Sequence, residues 1–234
     1  MKKILPILIL MLIFMGLFSK IYAKNFENLK LSVDIPEEYY DLKEAIEKED
    51  SKVAYYEAIL KTTKQQFKNE FSQNNICYYG LNKNLSKELT ISEKEDNYTK
   101  SIFHLQLISE KQIEELIEQT KAEAKEQQIT VKSIETYNEG SLKWIKSVLS
   151  KDSNTIYQYY TIVNGKGITF SLNCSYSNVK NDELKEVIDT VIVSKLEEKG
   201  IDFKDYILYS STAILIVMVM ILIIMAFSKK KKNS

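Results

Sequence analysis

Apolar residues fall into two regimes along this chain: long unbroken runs at both ends and short periodic patterns between them. Within the middle, Leu29 to Ile35 alternates apolar and polar as a strand and stops at Pro36. Residues 37 to 50 are strongly charged and read as loop or short helix. Lys52 to Phe71 reads as one helix, with Val53, Tyr56, Ile59, Leu60, Phe67 and Phe71 tracking one face. Ile76 to Leu81 and Glu88 to Glu93 read as short strands. Ser109-Glu110-Lys111-Gln112 matches a capping box and opens the clearest helix. Ile113, Leu116, Ile117, Thr120 and Ala124 form its apolar stripe, and Glu and Lys fill the other face. A four-strand run follows: Thr130 to Tyr137, Leu142 to Leu149, Thr155 to Val163 and Ile168 to Ser175. The first pair is joined at Asn138-Glu139-Gly140 and the last at Asn164-Gly165-Lys166-Gly167. Asn-Gly between alternating strands is a strong hairpin signal, because both residues tolerate positive φ. The last strand places Ile168, Phe170, Leu172 and Cys174 on one face and Thr169, Ser171, Asn173 and Ser175 on the other. Asp182 to Val193 reads as a closing helix, and Glu197 to Lys204 as a polar tether.

The terminal runs set an expected topology. Lys2 and Lys3 precede a fifteen-residue apolar stretch, Ile4 to Phe18, broken only by Pro6. With Ala23 as its last residue this is the pattern of a signal peptide, residues 1–23; an uncleaved anchor is the alternative. Tyr206 to Phe227 is almost wholly apolar, and Lys229 to Lys232 follow. Twenty-two helical residues span about 33 Å, the thickness of a bilayer core. A basic block marks the cytoplasmic side. The expectation is an extracytoplasmic domain over 24–205, a transmembrane helix over 206–228 and a basic cytoplasmic tail over 229–234, in the plasma membrane.

Charge sharpens this picture. The whole chain balances at 32 basic and 32 acidic residues. Seven lysines lie in the two ends, which contain no acid, so residues 24–205 hold 25 lysines against 32 acids, a net of −7. That argues against nucleic acid or an anionic membrane surface as partner. Every basic side chain is Lys, so bidentate guanidinium recognition is absent. Abundant Lys, Asn and Ile without Arg is the usage of an AT-rich, low-GC bacterium.

Candidate chemistry is sparse. His104 is the single histidine and sits among apolar neighbours, which reads as a structural or partly exposed residue. A thiol dyad would need Cys77 or Cys174 brought to His104 by the fold. The two cysteines are able to pair in an oxidising compartment, although Cys174 falls on an apolar strand face. Gly165-x-Gly167 precedes no helix and is a turn, not a phosphate loop. Glu37-Glu38 and Glu114-Glu115 lie in charged runs, with no sign of a paired acid and base. Tyrosines recur as the doublets 39–40, 55–56, 78–79 and 159–160. On a strand one ring of each points either way, and the outward rings offer a stacking surface for a glycan or a protein. Trp144 reads as core. No catalytic, cofactor-binding or metal-ligating residue is assigned.

The order of elements resembles the PsbP-like α/β sandwich, an α+β fold of antiparallel β-sheet packed with helices. More narrowly it resembles a group of uncharacterised bacterial single-pass membrane proteins with such an outer domain. The residues that carry the resemblance are Val33-Asp34-Ile35-Pro36, Ser109-Glu110-Lys111-Gln112-Ile113, Tyr159 to Lys166 and Val187-Ile188-Asp189-Thr190-Val191, within residues 29 to 195. The resemblance implies a small accessory protein that docks on a larger partner, here an envelope protein. It implies no binding residues. The expectation is therefore a non-enzymatic, membrane-anchored accessory domain. The alternatives are a binding module for cell-wall glycan or a small ligand and, behind it, a thiol-dependent enzyme.

Overall fold

The computed structural model describes residues 21–151, 154–175 and 183–198. Most of the expected leader, the apolar segment at 206–228 and the tail at 229–234 lie outside them. Among the described residues no helix is long and apolar enough to cross a membrane. By internal contacts the chain divides after Glu197, and the unit described here ends there.

The unit contains a long antiparallel sheet and a short one. Strands β1 (Ile21–Phe26) and β2 (Leu31–Pro36) pair in one register, with Ala23 opposite Asp34 and Phe26 opposite Leu31. The expected cut after Ala23 thus falls inside β1. Next come β3 (Tyr39–Asp41) and three short helices: α1 (Leu42–Glu47), α2 (Val53–Leu60) and α3 (Lys64–Gln73). Strands β4 (Ile76–Asn82) and β5 (Lys87–Lys94) follow, then α4 (Asn97–Ile102), a 3-10 turn at Leu105–Leu107 and α5 (Glu110–Glu126). The four-strand run is β6 (Thr130–Glu139), β7 (Leu142–Lys151), β8 (Asn154–Val163) and β9 (Lys166–Ser175). Helix α6 (Glu183–Ile188) and strand β10 (Ile192–Val193) close the unit. The large sheet runs β3-β4-β5-β9-β8-β7-β6, and the small one β1-β2-β10. The architecture is α+β, antiparallel sheet packed with helices.

Alternation in the strands produces one inner core and two outer ones. The inner face of the large sheet contributes Tyr78, Leu89, Ile91, Trp144, Tyr159, Phe170, Leu172 and Cys174. It packs against Leu31, Val33 and Ile35 of β2 and against Leu184, Val187 and Ile188 of α6. The outer face is covered in two places. Helices α1 to α3 lay Leu42, Ile46, Val53, Tyr56, Phe67 and Phe71 over Ile76, Tyr79 and Leu81. Helix α5 and the 3-10 turn lay Leu116 and Leu105 over Ile145 and Ile162. Between these two covers Glu88, Thr90 and Ser92 of β5, Gln158 of β8, and Thr169, Ser171 and Asn173 of β9 face outward, polar and half-buried.

Three expected elements differ. The single helix over 52–71 is two, because Lys61 takes φ +53° and Thr63 caps α3 in a box with Gln66. Both are stopping and starting devices: a left-handed residue ends a helix, and a capping box begins one. The first hairpin turns at Gly140-Ser141 rather than over 138–140; Asn138 and Glu139 still pair with Lys143 and Leu142. The expected helix over 182–193 ends at Ile188, and the β-branched Ile192-Val193 joins β2 instead.

Candidate functional site

His104 sits where three segments meet. Phe103, just before it, has φ +66° and ψ −47°, and the His104 N–H donates to the Ile102 carbonyl at 2.9 Å. This is the positive-φ γ-turn, a strained conformation for any residue with a Cβ. The tip of the β8–β9 hairpin holds it. Gly165 N–H donates to the Phe103 carbonyl at 2.8 Å, and Asn164 N–H donates to His104 Nδ1 at 3.3 Å. On its other side the ring lies 2.8 Å from the Glu197 carbonyl through Nε2. A carbonyl only accepts, so the proton sits on Nε2 and the lone pair on Nδ1. The Asn164 side chain completes the clasp. Its Nδ2–H donates to the Lys195 carbonyl at 3.0 Å and its Oδ1 accepts from the Glu197 N–H at 2.8 Å. His104 is 5% exposed, and both its ring nitrogens are occupied by structure. Of the two readings the sequence left, structural or partly exposed, the geometry shows the buried, structural one. The role of Asn164 was missed: its partners lie more than 30 residues away, and the Asn-Gly pair was fully explained as a turn.

The cysteines do not join His104. Both are free thiols, Cys77 on β4 and Cys174 on β9. Strand β5 lies between β4 and β9, so the two chains are about 10 Å apart across the sheet. They are offset along it as well, since Ile76 pairs with Ser92 whereas Cys174 pairs with Lys87. A disulfide between them is out of reach. Burial pushes each thiol up to about 11, which keeps the thiolate scarce at neutral pH. Among the described residues no cluster of His, Cys, Asp or Glu has metal-binding geometry.

The tyrosine doublets on strands do point to opposite faces, as alternation requires. Tyr39, Tyr78 and Tyr159 enter the inner core. Tyr40 and Tyr79 are roofed by α1 to α3, and Tyr160 packs beside α5. Their outward rings therefore form no exposed stacking surface; helices cover what the strands present. Among the described residues the exposed tyrosines are Tyr55 on α2 and Tyr98 on α4. Trp144 is buried as expected, edge-on to Tyr159 and Phe170.

Beside Tyr98 the outer face opens. A groove of about 420 Å³ runs between α5 and the sheet. Its floor is Ile145 and Ser147 of β7, Gln158 and Tyr160 of β8, and Thr169 of β9. Register puts these in two rows: Ile145, Tyr160 and Thr169, then Ser147, Gln158 and Ser171. Leu116, Gln119, Thr120 and Glu123 form one wall at helical spacing, and Tyr98 and Thr99 close one end. Gly167 makes room for Tyr160. A Cβ at position 167 would stand 2.8 Å from the Tyr160 hydroxyl, so the ring lies flat against the strand only because that residue is Gly. The sequence showed these polar positions as the solvent side of strands; nothing in it placed a helix beside them.

A second polar cluster ties β1 to α1. Lys24 bonds both Asp41 and Glu44, and Lys48 also reaches Glu44. The two lysines hold the Glu44 carboxyl down at about 2.

No protein-family model and no curated protein matches this chain. Among solved structures it is similar to the solution structure of cyanobacterial PsbP (CyanoP) from Synechocystis. That likeness has 12% identity and a TM-score of 0.47 over 75% of this chain and 94% of that one. It is similar also to the Ran-binding protein Mog1p of Saccharomyces cerevisiae, at 7% identity and a TM-score of 0.43, over 76% of this chain and 97% of that one. A crystal structure from Bacteroides thetaiotaomicron is similar at 13% identity and a TM-score of 0.37, over 74% of this chain and 47% of that one. No residue role passes from any of these to this chain.

Proposed function

We propose that this chain is a PsbP-like extracytoplasmic domain, made with a cleaved leader and held on the plasma membrane by a single C-terminal span. It serves without catalysis as an accessory to an envelope protein. The apolar segment Tyr206–Phe227 and the lysines after it support the anchor. The observation that carries the non-catalytic reading is the double commitment of His104. Its ring donates to Glu197 and accepts from Asn164, so no lone pair is left to take a proton from a nucleophile. A face for the partner is available on α2, where Tyr55 and Ile59 stand exposed four residues apart.

The test is in-membrane crosslinking of the intact protein, with a photoreactive residue at position 55, 59 or 107. One envelope protein captured from 55 and 59 and not from 107 is the expected result. If His104→Ala abolishes the biological role at normal abundance and fold, the non-catalytic reading fails. A second reading, a module for a glycan or small ligand, is favoured by the open groove beside α5.

A further inference from the structure

We propose that the groove between α5 and the large sheet is a binding site for a neutral sugar. The site deepens the second reading above and needs neither the membrane anchor nor an envelope partner.

The lining decides the ligand class. Among the described residues Lys94 is its one cation, and Asp96 pairs with it at 3.1 Å. An anionic ligand therefore finds no free positive charge there. Glu123 is the remaining charge; its carboxylate already accepts from Gln119 Nε2–H at 3.0 Å and keeps lone pairs for further donors. Ser147 is buried, lines the groove, and its hydroxyl has no hydrogen-bond partner among the described residues. The hydroxyls of Tyr160 and Thr169 are likewise without a hydrogen-bond partner among the described residues. Gln158 spends its amide N–H on Ser171 at 3.0 Å and leaves its Oε1 open. The floor is thus an array of unspent hydroxyl and amide groups around Ile145, and Leu116 adds an aliphatic contact from the wall.

That array suits a ligand that is itself a ring of hydroxyls. An apolar ligand would strand the Ser147 and Thr169 hydroxyls, at the cost of unpaired buried polar groups. An extended peptide has no main chain to pair with, because β7, β8 and β9 are each hydrogen-bonded on both sides. Tyr98 completes the site. The residue is 43% exposed at the mouth, where an aromatic ring is able to stack on the C–H side of a pyranose.

The experiment titrates the full-length chain in nanodiscs with glucose, N-acetylglucosamine and its β-1,4-linked disaccharide, read by saturation-transfer NMR. Glucose 6-phosphate is the charged control. At least one neutral sugar binds, and the phosphate ester binds more weakly than glucose. Tyr98→Ala, on an exposed residue, and Ser147→Ala each weaken binding about tenfold while the thermal midpoint holds. Gln119→Trp, on the exposed rim of α5, blocks the mouth should Ser147→Ala disturb folding. The proposal is overturned if no neutral sugar binds, or if binding survives both Tyr98→Ala and Gln119→Trp. Co-sedimentation with purified wall polymer, competed by the disaccharide, assigns the ligand to the wall. Sugar binding without co-sedimentation supports the site equally and assigns a free sugar. Failure of the titration leaves the crosslinking result untouched, and failure of the crosslinking leaves this site standing.

Discussion

At the scale of single residues the chain invests its only histidine in architecture. His104 links an end of the α4 turn to the β8–β9 hairpin tip and to Glu197. His104→Ala leaves the Glu197 carbonyl and the Asn164 N–H without partners, and is expected to cost about 1–3 kcal/mol. Hydrogen exchange should show Lys195 to Glu197 losing protection first, while the biological role persists. Asn164→Ala should release the same segment, since both of its side-chain bonds go there. Glu88 gives a prediction of opposite sign. It lies on the outer face of β5 with Tyr79, and burial raises its carboxyl above the ordinary range. A group whose folded pKa is raised binds its proton more readily when folded, so it destabilises the fold at pH 7 and stops doing so as the pH falls through that pKa. Glu88→Gln should therefore raise the thermal midpoint at pH 7, with the gain vanishing at pH 3. A gain that is equal at both pH values would sink the argument. The structural role of His104 was legible from its apolar neighbours, but its partners, 60 and 93 residues away, were not.

At the scale of elements, local signals worked where local chemistry decides the outcome. Ser109 and Gln112 form the capping box read from the sequence, and Asn164-Gly165 makes the turn expected of it, with φ of +52° and +76°. Thr63 with Gln66 carries the same box and was hidden by an apolar stripe that continues across the break from Leu60 to Phe67. Thr63→Ala is expected to cost about 1 kcal/mol, because α3 loses its first-turn partner. The two hairpin glycines make a sharper comparison. Gly140 has φ +58° and open space around its missing Cβ. Gly165 has φ +76°, and a Cβ there would meet the Phe103 ring at 3.4 Å. Gly140→Ala should cost about 1–2 kcal/mol from backbone conformation alone. The 3.4 Å approach at Gly165 is an ordinary contact, but φ +76° lies further than +58° from the left-handed well near about +57°, so Gly165→Ala should cost more, and thermal denaturation of the two variants side by side checks the order. The short β10 was not legible, since two β-branched residues after a helix look the same whether they extend it or leave it. Pairing with β2, 160 residues earlier, makes the choice.

At the scale of the whole molecule, the antiparallel α+β architecture could be read from alternation, but the roofing of its outer face could not. Strand patterns state which residues share a face and not which helix lies on it, so neither the covered tyrosines nor the groove was foreseeable. Strand β1 ties this scale to the expected maturation. A cut after Ala23 removes the pairs Ile21–Pro36, Tyr22–Ile35 and Ala23–Asp34 and keeps Lys24 to Phe26. Lys24 then still bridges to Asp41 and Glu44. Two soluble fragments, 21–205 and 24–205, should both unfold in one cooperative transition. The longer should be more stable by about 1–2 kcal/mol for its three extra cross-strand pairs. Their acid response should be the same. The Glu44 pKa falls from the ordinary 4.5 to about 2 on folding, chiefly through its bond to Lys24. A depressed carboxyl contributes stability that is whole above the unfolded value and is lost as pH drops through the folded one. Both fragments should therefore lose part of their stability between about pH 4.5 and 2, and Lys24→Met should flatten that loss in each. If 24–205 lacks the acid-dependent loss that 21–205 shows, the Lys24 bridge needs the residues before it, and a cut after Ala23 would dismantle the clamp on α1.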